Sequence, residues 1–146
     1  MKIIVDADAC PVKNLIIEIA QQHGIPVVMV LSIAHLTTFP ATVEMVTVDS
    51  VPQAVDIAIL NLLRPADIVV TQDIGLAAAV LGGSALALSP RGLRYDEGNI
   101  DSLLHERHLA AKTRRGGRRA KGPRPHTRED DDRFRNCLER LIGVNA

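Results

Sequence analysis

Five short apolar runs, dominated by Ile and Val, are spaced along the 146-residue chain at residues 2–5, 26–31, 43–48, 67–71 and 85–88. Helical spacing of apolar residues fills the intervals at 11–23, 51–63 and 74–81, and returns at 99–111 and 129–142. Short β-branched runs read as strands buried on both faces. Strands alternating with helices predict βαβ crossovers, hence a three-layer α/β/α fold around a mostly parallel sheet. Only 2% of residues are aromatic and none is Trp, so the core must be built from Ile, Val, Leu and Ala. Pro11 suits a first helical position, and Gly24 suits a helix stop.

In a parallel sheet the residues just after each strand gather on one edge. Asp6 and Asp8 follow the first strand, Asp49 the third and Asp73 the fourth. Asp is a poor strand former and costly to bury unpaired. Like charges a few ångströms apart also raise one another's pKa. A cation resolves that repulsion, and carboxylate oxygens suit Mg²⁺ or Mn²⁺. Each Asp taken alone is also compatible with a helix cap or an Asx-turn. Asp56 interrupts the apolar helix 51–63 near the exit of the third strand, where it can point into the same cluster. Asp67 begins the fourth strand, about 20 Å from Asp73 at strand rise, and reads as a cap or turn residue.

The formal net charge of zero conceals an asymmetry. Residues 1–106 carry 5 Lys/Arg against 12 Asp/Glu, whereas 107–128 carry 9 Lys/Arg and no acid. An acidic body with a basic arm is expected, divided as 1–111, an arm at 112–128 with Gly and Pro, and a last helix in 129–146. Lys112, Arg114, Arg115, Arg118, Arg119 and Lys121 of the arm are candidates for contact with a nucleic-acid backbone. Lys13, in the first turn of the first helix, is a candidate phosphate contact. No aromatic residue interleaves the arm, so base stacking there is not expected. Thr127 and Asp130 have the spacing of a capping box for the last helix.

The chain opens with a strand-like run rather than a signal peptide, and no apolar stretch reaches the length of a membrane span. Two distant cysteines do not make a disulfide framework. A reducing cytoplasmic setting is expected, with no membrane partner. Cys10 reads as structural, and the five His show no metal-ligand spacing.

Several segments carry a resemblance. Val5-Asp6-Ala7-Asp8-Ala9-Cys10-Pro11-Val12 resembles the opening signature of the YaiI/YqxD family of uncharacterised bacterial proteins, and residues 67–74 resemble its central motif. Ser89-Pro90-Arg91-Gly92 and Gly122-Pro123-Arg124-Pro125 with Thr127 resemble its later motifs. Gly75 stands where that family more often has Pro. The family is itself similar to PIN-like nucleases, whose three recurring acidic elements match Asp6, Asp56 and Thr71-Gln72-Asp73. The resemblance implies a PIN-like fold and a Mg²⁺ or Mn²⁺ site for phosphodiester hydrolysis, RNA before DNA. Asp6, Asp56 and Asp73 would hold one metal, Asp8 would join it or place a second, and Thr71 would hydrogen-bond an Asp or a water. PIN domains usually carry a helical Glu in mid-chain; Glu18 and Glu44 do not match it, and Asp8 or Asp49 can substitute. Two other readings stay open. One is a non-catalytic nucleic-acid-binding protein that uses the basic arm. The other is a haloacid-dehalogenase-type phosphatase, whose Asp-x-Asp opening matches Asp6 and Asp8.

Overall fold

The computed structural model describes residues 1–117 and 124–145. The first strand, β1 (Ile3–Asp6), leads into α1 (Lys13–His23) and then β2 (Val27–Ser32). A 3₁₀ turn, Ile33–His35, precedes β3 (Glu44–Val48), α2 (Ala54–Leu62) and β4 (Ile68–Val70). The chain continues through α3 (Ile74–Gly82), β5 (Leu86–Leu88), β6 (Arg94–Tyr95), α4 (Ile100–Arg115) and α5 (Arg128–Asn145).

The strands form one six-stranded sheet in the order β3-β2-β1-β4-β5-β6. All neighbours are parallel except β5 and β6. The chain steps outward from β1 to β3 and then returns to place β4 on the other side of β1. The order reverses between those two strands, and ligands of open α/β sheets bind at the carboxyl end of such a switch point. Asp6 ends β1, and Thr71 follows β4 directly, so both stand at that crevice.

Alternating strand residues fill two cores. Ile3 and Val5 of β1 pack with α1 and with Phe134, Leu138 and Leu141 of α5, all buried. Ile4, Val28, Val30 and Val69 face the opposite way, against Ile59 of α2, Leu76 and Val80 of α3 and Ile100 of α4. Helices therefore cover both faces, and the three-layer α/β/α architecture with a mostly parallel sheet is the fold.

The local differences from the sequence reading have physical causes. Pro11 lies in a turn ahead of α1, whose N-cap is Val12, so it directs the chain into the helix without entering it. Gly24 does close α1, at φ +65°, where its N–H meets the carbonyls of Ala20 and Gln21. α4 continues to Arg115, because Lys112, Arg114 and Arg115 are good helix formers and place positive charge at the helix C-terminus. These three residues are therefore helical rather than part of a flexible arm, while Arg118, Arg119 and Lys121 lie outside the described residues. Among the described residues, no helix is long and apolar enough to cross a membrane.

The late motifs meet at one buried carboxylate. Asp130 is fully buried and accepts hydrogen bonds from Arg124 at 2.6 and 2.8 Å, from Arg133, and from the Thr127 N–H at 2.9 Å. Its own N–H donates to Thr127 Oγ1 at 3.2 Å, which completes the expected capping box. Arg91 reaches Asp130 at 3.5 Å and also donates to the Arg124 carbonyl. The guanidinium groups hold the Asp130 carboxyl far below the usual carboxylate range. Gly92 completes this clasp at φ +87°: a Cβ there would stand 2.5 Å from the Arg133 backbone, so only Gly lets α5 approach.

Candidate functional site

Asp6 is half-buried at the end of β1, where Val70 and Val5 pair across the sheet. Its Oδ2 accepts the Thr71 hydroxyl at 2.8 Å. Burial pushes the Asp6 carboxyl up, the Thr71 hydrogen bond opposes that, and the charges of Asp8 and Asp73 add to the rise. Thr71 is buried, and its Oγ1 also accepts the Asp73 N–H at 2.9 Å. Its carbonyl takes the Tyr95 hydroxyl at 3.1 Å, and burial and Asp73 push that phenol up to about 12. Every polar atom of Thr71 is thus committed, which fixes the geometry of the two carboxylates beside it.

Asp73 is the N-cap of α3, and its Oδ1 accepts from the N–H groups of Gly75 at 2.9 Å and Leu76 at 3.2 Å. Arg107 of α4 reaches the same oxygen at 3.4 Å. Asp56 comes from a third direction, in the first turn of α2. Its pKa is pushed up to about 6, first by burial, then by the charges of Asp73 and Asp6 and by contact with the Asp73 carboxyl; Arg107 partly offsets the rise. Asp6, Asp56 and Asp73 therefore share one electrostatic site although 67 residues of sequence span them.

The other expected residues are placed differently. Asp8 stays within electrostatic reach of Asp6, but its carboxylate turns toward β2: Oδ1 accepts the Ser32 N–H at 2.8 Å, and Oδ2 lies 3.6 Å from His35 Nδ1. Asp49 is exposed after β3, two strands or about 10 Å from β1, and its charge moves neither Asp6 nor Asp56. Glu18 is exposed and pairs with Arg135 at 3.3 Å, and Glu44 is exposed at the start of β3. Neither enters the cluster. Asp67 is buried, bound by Lys2 Nζ at 2.6 Å and the Arg64 N–H at 2.9 Å. Lys13 folds over the β1–α1 turn, donating to the Ala7 carbonyl at 3.3 Å.

Arg107 is the site residue that the sequence did not disclose. It stands on a charged helix 34 residues after Asp73, and only the packing of α4 beside α3 brings it in. Arg114 follows on the same face of α4, seven residues or about 10 Å further along, so a basic stripe leads away from the acidic site. Cys10 is buried and its thiol is pushed up to about 11, which leaves it a packing residue.

The donor set suits a hard divalent cation: three carboxylates, two of them raised in pKa and short of compensating charge. As placed, Thr71, the α3 N-terminus and Arg107 hold these carboxylates. Among the described residues, no group of three or more His, Cys, Asp or Glu is arranged so that it could hold a metal ion.

Residues 4–144 match the model of the family described as "Uncharacterized BCR, YaiI/YqxD family". A UPF0178 protein of Clostridium novyi is 49% identical over 97% of this chain and 95% of its own length. A second, from Bacillus cereus, is 44% identical over 99% of this chain and all of its own. Among solved structures, a mutant of Rae1 (YacP) from Bacillus subtilis is similar with a TM-score of 0.47 at 17% identity, over 99% of each chain.

Proposed function

The chain belongs to the YaiI/YqxD family, and on that premise we propose that it is a divalent-metal-dependent nuclease that hydrolyses phosphodiester bonds at the Asp6–Asp56–Asp73 cluster. One observation carries the reading. Carboxylates from β1, α2 and the β4–α3 turn act on one another beside the switch point, and Asp56 is raised to about 6 by burial first and then by the charges of Asp73 and Asp6. Residues serving only stability rarely concentrate like charge in a cleft. The match of Asp6, Asp56 and Thr71-x-Asp73 to the acidic elements of PIN-like nucleases supports it.

Asp6, Asp56 and Asp73 would hold Mg²⁺ or Mn²⁺. When bound, the cation supplies an activated water and neutralises charge on the phosphate. The protein's own groups do the positioning. Thr71 aligns Asp6 through its hydroxyl and sets the backbone that carries Asp73. Arg107, beside Asp73, is placed to meet negative charge developing on the phosphate. Lys112, Arg114 and Arg115 extend positive charge along the last turn of α4, where a nucleic-acid backbone can lie. Asp8 acts on Asp6 by charge while anchored to Ser32.

The test is cleavage of labelled single-stranded RNA and DNA in Mg²⁺, in Mn²⁺ and in EDTA. Metal-dependent cleavage by wild type that falls at least 100-fold in Asp73→Asn supports the reading. Tight RNA binding without cleavage, unaffected by Asp6→Asn and abolished by neutralising the basic arm, replaces it with a non-catalytic binding protein.

A further inference from the structure

Two clefts meet beside the acidic site. The first, about 450 Å³, is lined by Lys13, Asn14, His35, Thr37, Thr38 and Phe39, with Asp8 at its inner end. The second, about 390 Å³, shares Asp8 and His35 and runs past Ser32 and Gln53 to Asp56. The two are neighbouring, solvent-open clefts on either side of the Asp8–His35 pair, and together they make a groove from Phe39 at one end to Asp56 at the other. Each part lies within the range of about 300–1,000 Å³ of small-molecule sites. A groove that continues past both sides of Asp8 fits a linear chain better than a compact molecule.

The end remote from the carboxylates has its own chemistry. Apart from its histidines, the chain has three aromatic rings. Phe134 and Tyr95 are buried, so Phe39 is the one that reaches solvent, and it does so inside this groove. Its other side packs against the core, which holds the ring in place. Leu36, 61% exposed, extends the apolar surface. Lys13 supplies a cation whose ammonium meets only the Ala7 carbonyl and, among the described residues, has no carboxylate partner. Asn14, Thr37 and Thr38 add donors and acceptors of hydrogen bonds.

We propose that this groove seats the nucleotide next to the scissile phosphate of a single-stranded nucleic acid, with its base on Phe39 and Leu36 and its phosphate at Lys13. A base offers its face to a ring only when unstacked, which selects single strands over duplex. The assignment rests on the nuclease reading above and adds the substrate class to it.

Fluorescence anisotropy with a labelled oligouridylate and a duplex of the same length, in EDTA so that binding is read without cleavage, tests the groove. Phe39→Leu keeps the apolar contact with the core, and Lys13→Ala removes the cation together with its hydrogen bond to the Ala7 carbonyl; thermal melting confirms that both fold. The expected result is single-strand affinity at least 5-fold weaker in Phe39→Leu, and a log–log salt slope reduced by about 0.7 in Lys13→Ala, for one lost phosphate contact on a single strand. Duplex binding should not change in Phe39→Leu. Oligouridylate binding that both variants leave unchanged overturns the groove and leaves the nuclease reading standing. No nucleic-acid binding by wild type in either EDTA or Mn²⁺ overturns both.

Discussion

Thr71 Oγ1 donates to Asp6 Oδ2 across 2.8 Å, joining the ends of two strands that are 65 residues apart in sequence. The same oxygen accepts the Asp73 N–H, so one hydroxyl orders two of the three site carboxylates. Thr71→Val keeps the shape and removes both bonds. A half-buried acceptor and a backbone donor are then left short, at a cost of about 1 kcal/mol in chemical denaturation. The Asp6 carboxyl, which this bond holds down, should titrate higher by NMR, and Thr71→Ser should restore it.

Arg107 is the cation that offsets the rise at Asp56, and it sits against Asp73. Removing it as Arg107→Ala should push the Asp56 carboxyl above about 6, measured by NMR titration. Nuclease turnover should fall by about 100-fold, the usual effect of losing one preorganised charge-stabilising donor.

Stability of the metal-free protein should fall as pH rises from about 4 to about 6. Unfolded Asp56 ionises at its ordinary 3.8, whereas folded Asp56 retains its proton until about 6. In that window the folded state binds more protons, so raising the pH favours unfolding. Asp6 is raised and acts in the same direction. Asp67 and Asp130 are lowered, so their contributions are complete above 3.8 and are lost only in stronger acid. Asp56→Asn should flatten the decline and raise the melting temperature at pH 7, read by calorimetry in EDTA.

Gly92→Ala should cost about 3 kcal/mol. A left-handed φ costs about 1–2 kcal/mol in a residue with a Cβ, and the added atom would press on the Arg133 backbone. The melting temperature should drop by about 6–12 °C. Gly82→Ala is the control, since a Cβ there meets nothing within 4 Å.

The architecture was legible where local patterns decide it. Ile3-Ile4-Val5 and Ile68-Val69-Val70 are buried on both faces and read as strands without knowledge of their partners. The cap made by Thr127 and Asp130 is a spacing rule, and it formed. Strand order is not local. Asp49 follows a strand as Asp6 does, yet β3 is an edge strand, and this alone removes Asp49 from the cluster. Asp8 has the spacing of a ligand, but the Ser32 N–H competes for its carboxylate. Arg107 carries no local signal, since its role arises from the packing of α4 beside α3. β6, Arg94–Tyr95, is too short to show an alternating pattern. The Arg91 and Arg124 motifs are parts of a clasp around Asp130, a role that appears only when both meet the same carboxylate.

Calorimetric titration of Mn²⁺ into wild type and into Asp6→Asn/Asp73→Asn tests the central claim most directly. Heat of binding in wild type that disappears in the double variant, with both proteins folded, is the expected result. No binding by wild type, or equal binding by both, contradicts a metal site at the Asp6–Asp56–Asp73 cluster.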